Sequence, residues 1–407
     1  MSKDKLIPEL RFPEFEGDGE WIYKRLGETG KVITGKTPST KDASLWNGEI
    51  LFITPTDIDE NQKYQLVTNR TIVRNRKLNI LPEGSIAYTC IASIGKMSIT
   101  AKESVTNQQI NSIVVNANYH NEFIYYSLLH ITPFIKSRPA TSTLPIVNKT
   151  EFSAFRIGVP IPQEQQKIAS CLSSLDELIA AHNDKLDALK DHKKGLLQNL
   201  FPQEGETVPK IRFPEFEGDG EWVEDDIGTL FKFKQGVQVP VSNQFPEQGD
   251  DMVRFIRIID ITSNNEPPRY IQHPGDSHII SKDDLFMIRY GTPGLISIGF
   301  EGVIANNLFR LIWKSEKRNQ PKFWFYAFQR LESFIYNLSS SSSMPAISFS
   351  TLEGLKIGFP PTIEEQQKIA SCLSALDELI TSQQEKIDQL QQHKKGLMQG
   401  LFPKIES

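Results

Sequence analysis

EQQKIASCLSSLDELI, at Glu164–Ile179, returns as EQQKIASCLSALDELI at Glu365–Ile380, 201 residues later and with one substitution. The same spacing recurs on both sides of it. RFPEFEGDGEW occupies Arg11–Trp21 and, unchanged, Arg212–Trp222, while HKKGLLQNLFP at His192 reappears as HKKGLMQGLFP at His393. A register held across half the chain is an internal duplication, and it decides the architecture before any single motif does. Past the breakers Pro160 and Pro162, apolar residues fall at Ile168, Leu172, Leu175, Ile179, Leu186, Leu189, Leu196 and Leu200. These gaps follow a 4–3 heptad rhythm, interrupted at His182 and Lys193 and ended by Pro202. The second copy reads Ile369, Leu373, Leu376, Ile380, Ile387, Leu390, Leu397 and Leu401, with Gln383 and Lys394 at the interruptions. Each copy predicts a helical rod of roughly 55–60 Å. So narrow a stripe needs a partner helix, and the twin copy is the evident candidate.

Between the repeated blocks the halves diverge to a skeleton. TSTLPIVNKTEFSAFRIGVP (Thr141–Pro160) lies opposite SSSMPAISFSTLEGLKIGFP (Ser341–Pro360), and GKMSIT…TNQQINSI opposite GLISIG…ANNLFRLI. A duplicated enzyme keeps its chemical residues and varies its surface. Here the framework is constant and the modules differ, which suits two readers of unlike targets. Short β-like runs (ILFIT, GSIAYTCIA and NSIVV; then RFIRIID, LFMIRY and LFRLIW) alternate with turns in mixed α/β modules, and each is followed by an aromatic helical segment, NEFIYYSLLH or PKFWFYAFQR. A hydroxyl-rich stretch, ATST or SSSSS, then reads as an exposed loop or a disordered tether. The chain divides into segments 1–21, 22–160, 161–222, 223–360 and 361–407: an N-terminal repeat, a first module, a helix with linker, a second module and a second helix.

A formal net charge of −5 hides an uneven distribution. Residues 22–160 hold 16 basic against 10 acidic side chains, whereas residues 223–360 hold 14 against 15. Arg70, Arg74, Arg76 and Lys77 cluster in the first module; Arg254 with Arg257, and Lys314, Lys317, Arg318 and Lys322, form local runs in the second. Each cluster reads either as a phosphate-facing patch or as solvated surface, since phosphate contact needs a basic face rather than a basic protein. Cys90, Cys171 and Cys372 are too few and too scattered for a disulfide framework or zinc cage. No apolar run approaches the ~20 residues of a spanning helix, and MSKDKLIPELRF has no apolar signal core, so the chain reads as cytoplasmic.

Three catalytic patterns fail in context. GKVITGKT (Gly30–Thr37) matches the phosphate-loop pattern, but YKRLGET rather than a buried strand precedes it, and Pro38 follows where a helix should begin. The other half keeps Gly236 but has Phe231 and Val237 for Gly30 and Lys36. FEGDG (Phe15–Gly19 and Phe216–Gly220) matches a methyltransferase cofactor loop yet lacks a preceding strand, so a turn closing onto Trp21 is the simpler account. His273 and His278 have no third ligand, and His192 and His393 fall in the repeated helices. No catalytic, cofactor-binding or metal site is therefore assigned to this chain.

Two divergent modules, each ending in I-G-x-P and followed by E-Q-Q-K-I-A and a long helix, resemble the specificity subunit of a type I restriction–modification enzyme. The resemblance covers essentially the whole chain. It implies an α+β architecture with a pseudo-two-fold internal repeat: two target-recognition domains separated by two long helices packed as an antiparallel coiled coil. It further implies that double-stranded DNA is the ligand, that the helices set a spacer and dock two methyltransferase subunits, and that restriction (translocase) subunits join through the complex. S-adenosylmethionine, ATP and Mg are then expected on those partners. Expected base or phosphate contacts are Lys36, Thr37, Lys41, Arg74, Arg76, Ser93, Lys96, Ser142 and Thr143 in the first module. In the second they are Gln238, Arg254, Arg257, Arg289, Thr292, Ser341 and Ser342. The expected helix-pairing positions are Ile168, Leu172, Leu175, Ile179, His182, Leu186 and Leu189 against Ile369, Leu373, Leu376, Ile380, Gln383, Ile387 and Leu390, with His182 and Gln383 fixing register as single polar core residues can. A coiled-coil scaffold without DNA specificity and a stand-alone DNA-modifying enzyme are the competing readings.

Overall fold

In the structure, a computed structural model, Pro160 and Pro360 end short strands and release the chain into two long helices, Pro162–Asn199 and Ile363–Leu401. The described residues are 6–137, 146–263, 266–315, 320–339 and 345–404. Proline suits the first helical turn, where its missing N–H has no partner to lose, and Glu164, Glu364 and Glu365 place negative charge at the positive end of each helix dipole. Ile168, Leu172, Leu186, Ile369, Leu373, Leu376, Ile387 and Leu390 are buried, whereas Leu175, Ile179, Leu189 and Ile380 are half-buried. Gln383 is buried and His182 half-buried, so the polar interruptions lie on the stripe rather than on the solvated face. Among the described residues no helix is long and apolar enough to cross a membrane.

The chain forms two compact units, Met1–Asp184 with Gln384–Ser407, and Lys185–Gln383. Each takes the first half of one long helix and the second half of the other. In the first unit Ile168, Ala169 and Leu172 share a core with Met398, Leu401 and Phe402, and Asp176 further along pairs with Lys394. These two helical segments therefore run antiparallel. In the second unit Ile369, Ala370 and Leu373 share a core with Leu200 and Phe201, and Asp377 pairs with Lys193.

The module of the first unit opens and closes on one small antiparallel sheet, Ile22–Arg25 against Arg156–Val159. Inside it lie a five-stranded sheet, in the order Gly30–Thr34, Ile110–Val115, Ile86–Thr89, Met97–Thr100, Tyr64–Gln65, and a three-stranded one, Thr71–Ile72, Trp46–Ile53, Ser104–Thr106. Ile86–Thr89 is buried along its whole length because both its faces are covered, so it shows no polar alternation. The second unit repeats the plan. Val223–Asp226 pairs with Lys356–Phe359; four strands follow in the order Phe231–Gln235, Leu308–Trp313, Leu285–Ile288, Ile296–Ser297, and four more in the order Arg269–Gln272, Met252–Ile256, Gly302–Ile304, Ile279–Ile280.

Aromatic helices Asn121–Ser137 and Pro321–Asn337 carry each module onto its long-helix segments. The junction is a ring cluster in both units. Trp21, Phe123 and Phe402 lie 5.7–6.1 Å apart by centroid in the first, and Trp222, Phe323 and Phe201 lie 5.6–6.1 Å apart in the second. Such pairs contribute about 0.5–1.5 kcal/mol each beyond their buried area.

Candidate nucleic-acid interface

The EQQKIA signature builds structure rather than a ligand site. Glu164 is buried and takes both Nε and Nη2 of Arg11, at 2.9 and 2.8 Å, together with Trp21 Nε1 at 3.3 Å. Arg11 Nη1 also donates to the Gly19 carbonyl, and Gly19 sits at φ +78°. The carboxylate bond holds the Arg11 guanidinium above its usual basicity. FEGDG is thus a turn that closes an ion pair over the helix start. Gln165 caps the Pro160 carbonyl at 2.9 Å, Lys167 pairs with Glu14 at 3.0 Å, and Ile168 enters the core. The second copy repeats the clamp through Arg212, Trp222, Gly220 and Glu365, and Lys368 pairs with Glu215.

GKVITGKT likewise has no phosphate-loop geometry. Gly30–Thr34 is a strand that follows a short helix, Leu26–Thr29. A Cβ on Gly35 would stand 2.0 Å from the Asn107 carbonyl oxygen, and one on Gly236 would stand 2.2 Å from that of Ala305. The retained glycine serves this close backbone approach, and it brings the neighbouring residues onto a shared edge of the module.

That edge is built from five chain segments joined by backbone bonds. Gly35 N donates to Ile110 O at 3.0 Å, Lys36 N to Thr106 O at 2.8 Å, Asn107 N to Ile53 O at 3.0 Å, Cys90 N to Gln109 O at 2.8 Å and Val147 N to Cys90 O at 2.9 Å. The second module repeats every one of these bonds. Gly236 N donates to Leu308 O at 2.9 Å, Val237 N to Ile304 O at 2.9 Å, Ala305 N to Ile256 O at 2.9 Å, Arg289 N to Asn307 O at 2.9 Å and Ile347 N to Arg289 O at 3.2 Å. Two left-handed positions shape the adjoining turn in each module: Ala92 and Gly95 in one, Gly291 and Gly294 in the other.

The side chains on this common frame differ. The first edge carries Lys36, Thr37, Cys90, Ser93, Lys96, Gln108 and Gln109, where the second carries Val237, Gln238, Arg289, Thr292, Leu295, Asn306 and Asn307. Thr37 Oγ1 lies 2.6 Å from the exposed Gln108 amide. Burial pushes the Cys90 thiol up to about 11, against Asn111 bonds that lower it. Arg289 spans its edge, donating to the Gln235 amide and the Ile347 carbonyl while its guanidinium lies 4.2 Å from the Phe349 ring centroid.

The edge therefore gathers Lys36, Thr37, Ser93, Lys96, Gln238, Arg289 and Thr292, while Ser142, Thr143, Ser341 and Ser342 lie outside the described residues. Other expected contacts are placed differently. Arg74 pairs with Glu103 and, at 4.0 Å, with Glu49, so it sits at the end of strand Ser104–Thr106 that faces away from the edge. Arg257 is tied to Asp260 at 2.9 and 3.0 Å and to the Pro267 carbonyl. Its guanidinium completes a capping contact rather than projecting outward. Arg254 is half-buried with its guanidinium 5.3 Å from the Phe300 ring centroid. Lys41 and Arg76 are exposed. Arg70, in the same basic cluster, stacks 3.4 Å from the Trp46 ring centroid. The edges also carry the amides Gln108, Gln109, Asn306 and Asn307, which no sequence motif singled out. The signal for them was TNQQINSI opposite ANNLFRLI, which the backbone bonds shift by one residue, setting Gln108 opposite Asn306 and Gln109 opposite Asn307.

Comparison with known proteins gives this geometry its context. Residues 18–191 and 220–392 match the type I restriction modification DNA specificity domain. The type I restriction enzyme MjaIX specificity subunit of Methanocaldococcus jannaschii is 25% identical, over 95% of this chain and 92% of its own length. The MjaVIII specificity subunit from the same organism is 27% identical, over 97% and 93% respectively. A type I restriction-modification S subunit from M. genitalium shares the fold with a TM-score of 0.64 at 16% identity, covering 98% of this chain and 100% of that one. With two matched domains spanning most of its length, the chain belongs to the family of type I restriction modification DNA specificity subunits.

Proposed function

We propose that each module reads one half of an asymmetric, two-part DNA target through its five-segment edge. The long helices set the gap between the halves and receive two methyltransferase subunits, through which restriction subunits join. The observation that carries this reading is the repetition of one backbone frame under two unlike sets of side chains. A common frame docks both modules in the same way, and different side chains make the half-sites differ. In the major groove every base pair shows a distinct donor and acceptor pattern, and Gln or Asn amides match adenine in two places. Lys36 and Lys96 would fix register on phosphates without carrying sequence information. Catalysis falls to the partners: S-adenosylmethionine serves methyl transfer there, and ATP with Mg serves translocation and cleavage. A partner that modifies a base must first draw it out of the stack, at a cost of a few kcal/mol that tight docking by this chain offsets.

The test is co-expression with a methyltransferase partner, followed by sequencing of host DNA for N6-methyladenine. Two unlike short motifs at one fixed separation are expected. A single continuous motif, or an assembled complex that leaves DNA unmethylated, counts against the reading.

A further inference from the structure

Each heptad stripe is interrupted by a lysine, Lys193 in one long helix and Lys394 in the other, and both lysines meet the same arrangement. In the first unit Lys394 pairs with Asp176 of the opposite helical segment, while the Tyr126 hydroxyl donates to the same carboxylate at 2.6 Å. The ammonium also lies 5.7 Å from the Tyr126 ring centroid. In the second unit Lys193 pairs with Asp377 at 2.6 Å, the Tyr326 hydroxyl donates to that carboxylate at 2.7 Å, and the ammonium lies 5.4 Å from the Tyr326 ring centroid. Three elements thus converge on one carboxylate in each unit: the aromatic helix of the module, the first half of one long helix and the second half of the other.

Apolar stripes alone specify register poorly, because a slip by one turn or one heptad sets leucine against leucine again. These half-buried charged pairs, each with a third, directional donor, are satisfied in one register, a role attested for polar residues within helix interfaces. Both tyrosine side chains are buried, and burial together with the carboxylate's negative charge raises their phenols, so the hydroxyls remain donors. Slipping by one turn, about 5.4 Å, would carry each lysine out of reach of its carboxylate. That distance exceeds one base step of about 3.4 Å, so a one-turn slip is large enough to alter the gap between half-sites.

We propose that the two Tyr–Asp–Lys junctions, Tyr126–Asp176–Lys394 and Tyr326–Asp377–Lys193, set the register of the long helices and thereby the length of the gap between half-sites. The inference rests on the two-part-target reading above. Its test uses the complex with methyltransferase subunits and a set of DNAs carrying both half-sites at gaps shorter than, equal to and longer than the wild-type gap. The complex carrying Lys193→Met and Lys394→Met should methylate gaps one base pair off about tenfold or more faster than the wild type does, as befits the loss of charged hydrogen bonds, with both half-sites unchanged. The milder Lys193→Gln, Lys394→Gln variant guards against failure to assemble and should broaden the gap in the same way. Exchanging the charges, with Asp176→Lys, Lys394→Asp, Asp377→Lys and Lys193→Asp together, should restore a single gap. Retention of the single gap in the Gln variant, or an exchanged variant as permissive as the Gln variant, overturns the inference. A wild-type complex with no two-part motif would instead overturn the functional reading beneath it.

Discussion

Glu164 and Glu365 show what the repeated residues are for. Each is buried and takes an arginine and a tryptophan from the repeated N-terminal block. Breaking a buried pair leaves an uncompensated charge, so Glu164→Ala should cost about 3–5 kcal/mol. Hydrogen exchange should locate that loss in the first unit, while Glu14→Ala, which removes only the exposed partner of Lys167, should leave protection unchanged. Equal protection in the two variants would show that the clamp is not what secures the helix start. The role of these residues was only partly legible in sequence. Identity between the copies marked them as framework, but the pairing of Arg11 with a residue 153 positions away depends on tertiary packing that no local pattern encodes. The same limit applied to Arg74 and Arg257. Their charge was visible, and the carboxylates that absorb it were not.

At the scale of elements, the long helices were the most legible part of the chain, because a heptad rhythm bounded by prolines is a local signal. The module edges were the least legible, since they are assembled from segments as far apart as Gly35 and Val147. Strand runs such as LFMI and NSIVV identified the elements without revealing which strand ends meet. Two polar residues on the helical stripes remain to be tested as register devices, Gln383, which is buried, and His182, which is half-buried. Replacing both with leucine should raise the melting temperature while loosening alignment, because apolar packing generally stabilises more than a polar core residue does. A lower melting temperature would show that their present contacts stabilise more than leucine packing could.

For the whole molecule, duplication is the organising fact. One clamp, one ring cluster, one backbone edge and one Tyr–Asp–Lys junction each occur twice, and the divergent modules place unlike side chains on the common edge. That division separates assembly from recognition, so recognition should be alterable one half at a time. The most direct measurement is N6-methyladenine sequencing of hosts expressing the complex with Gln108→Ala and, separately, with Asn306→Ala, since both residues are exposed on their edges. A lost two-point base contact relaxes discrimination by about 1–3 kcal/mol, roughly ten- to a hundredfold. That division predicts that Gln108→Ala relaxes one half of the methylated motif and Asn306→Ala the other, with the gap between them unchanged. Relaxation of both halves by either substitution, or of neither half in complexes that still methylate DNA, would contradict it.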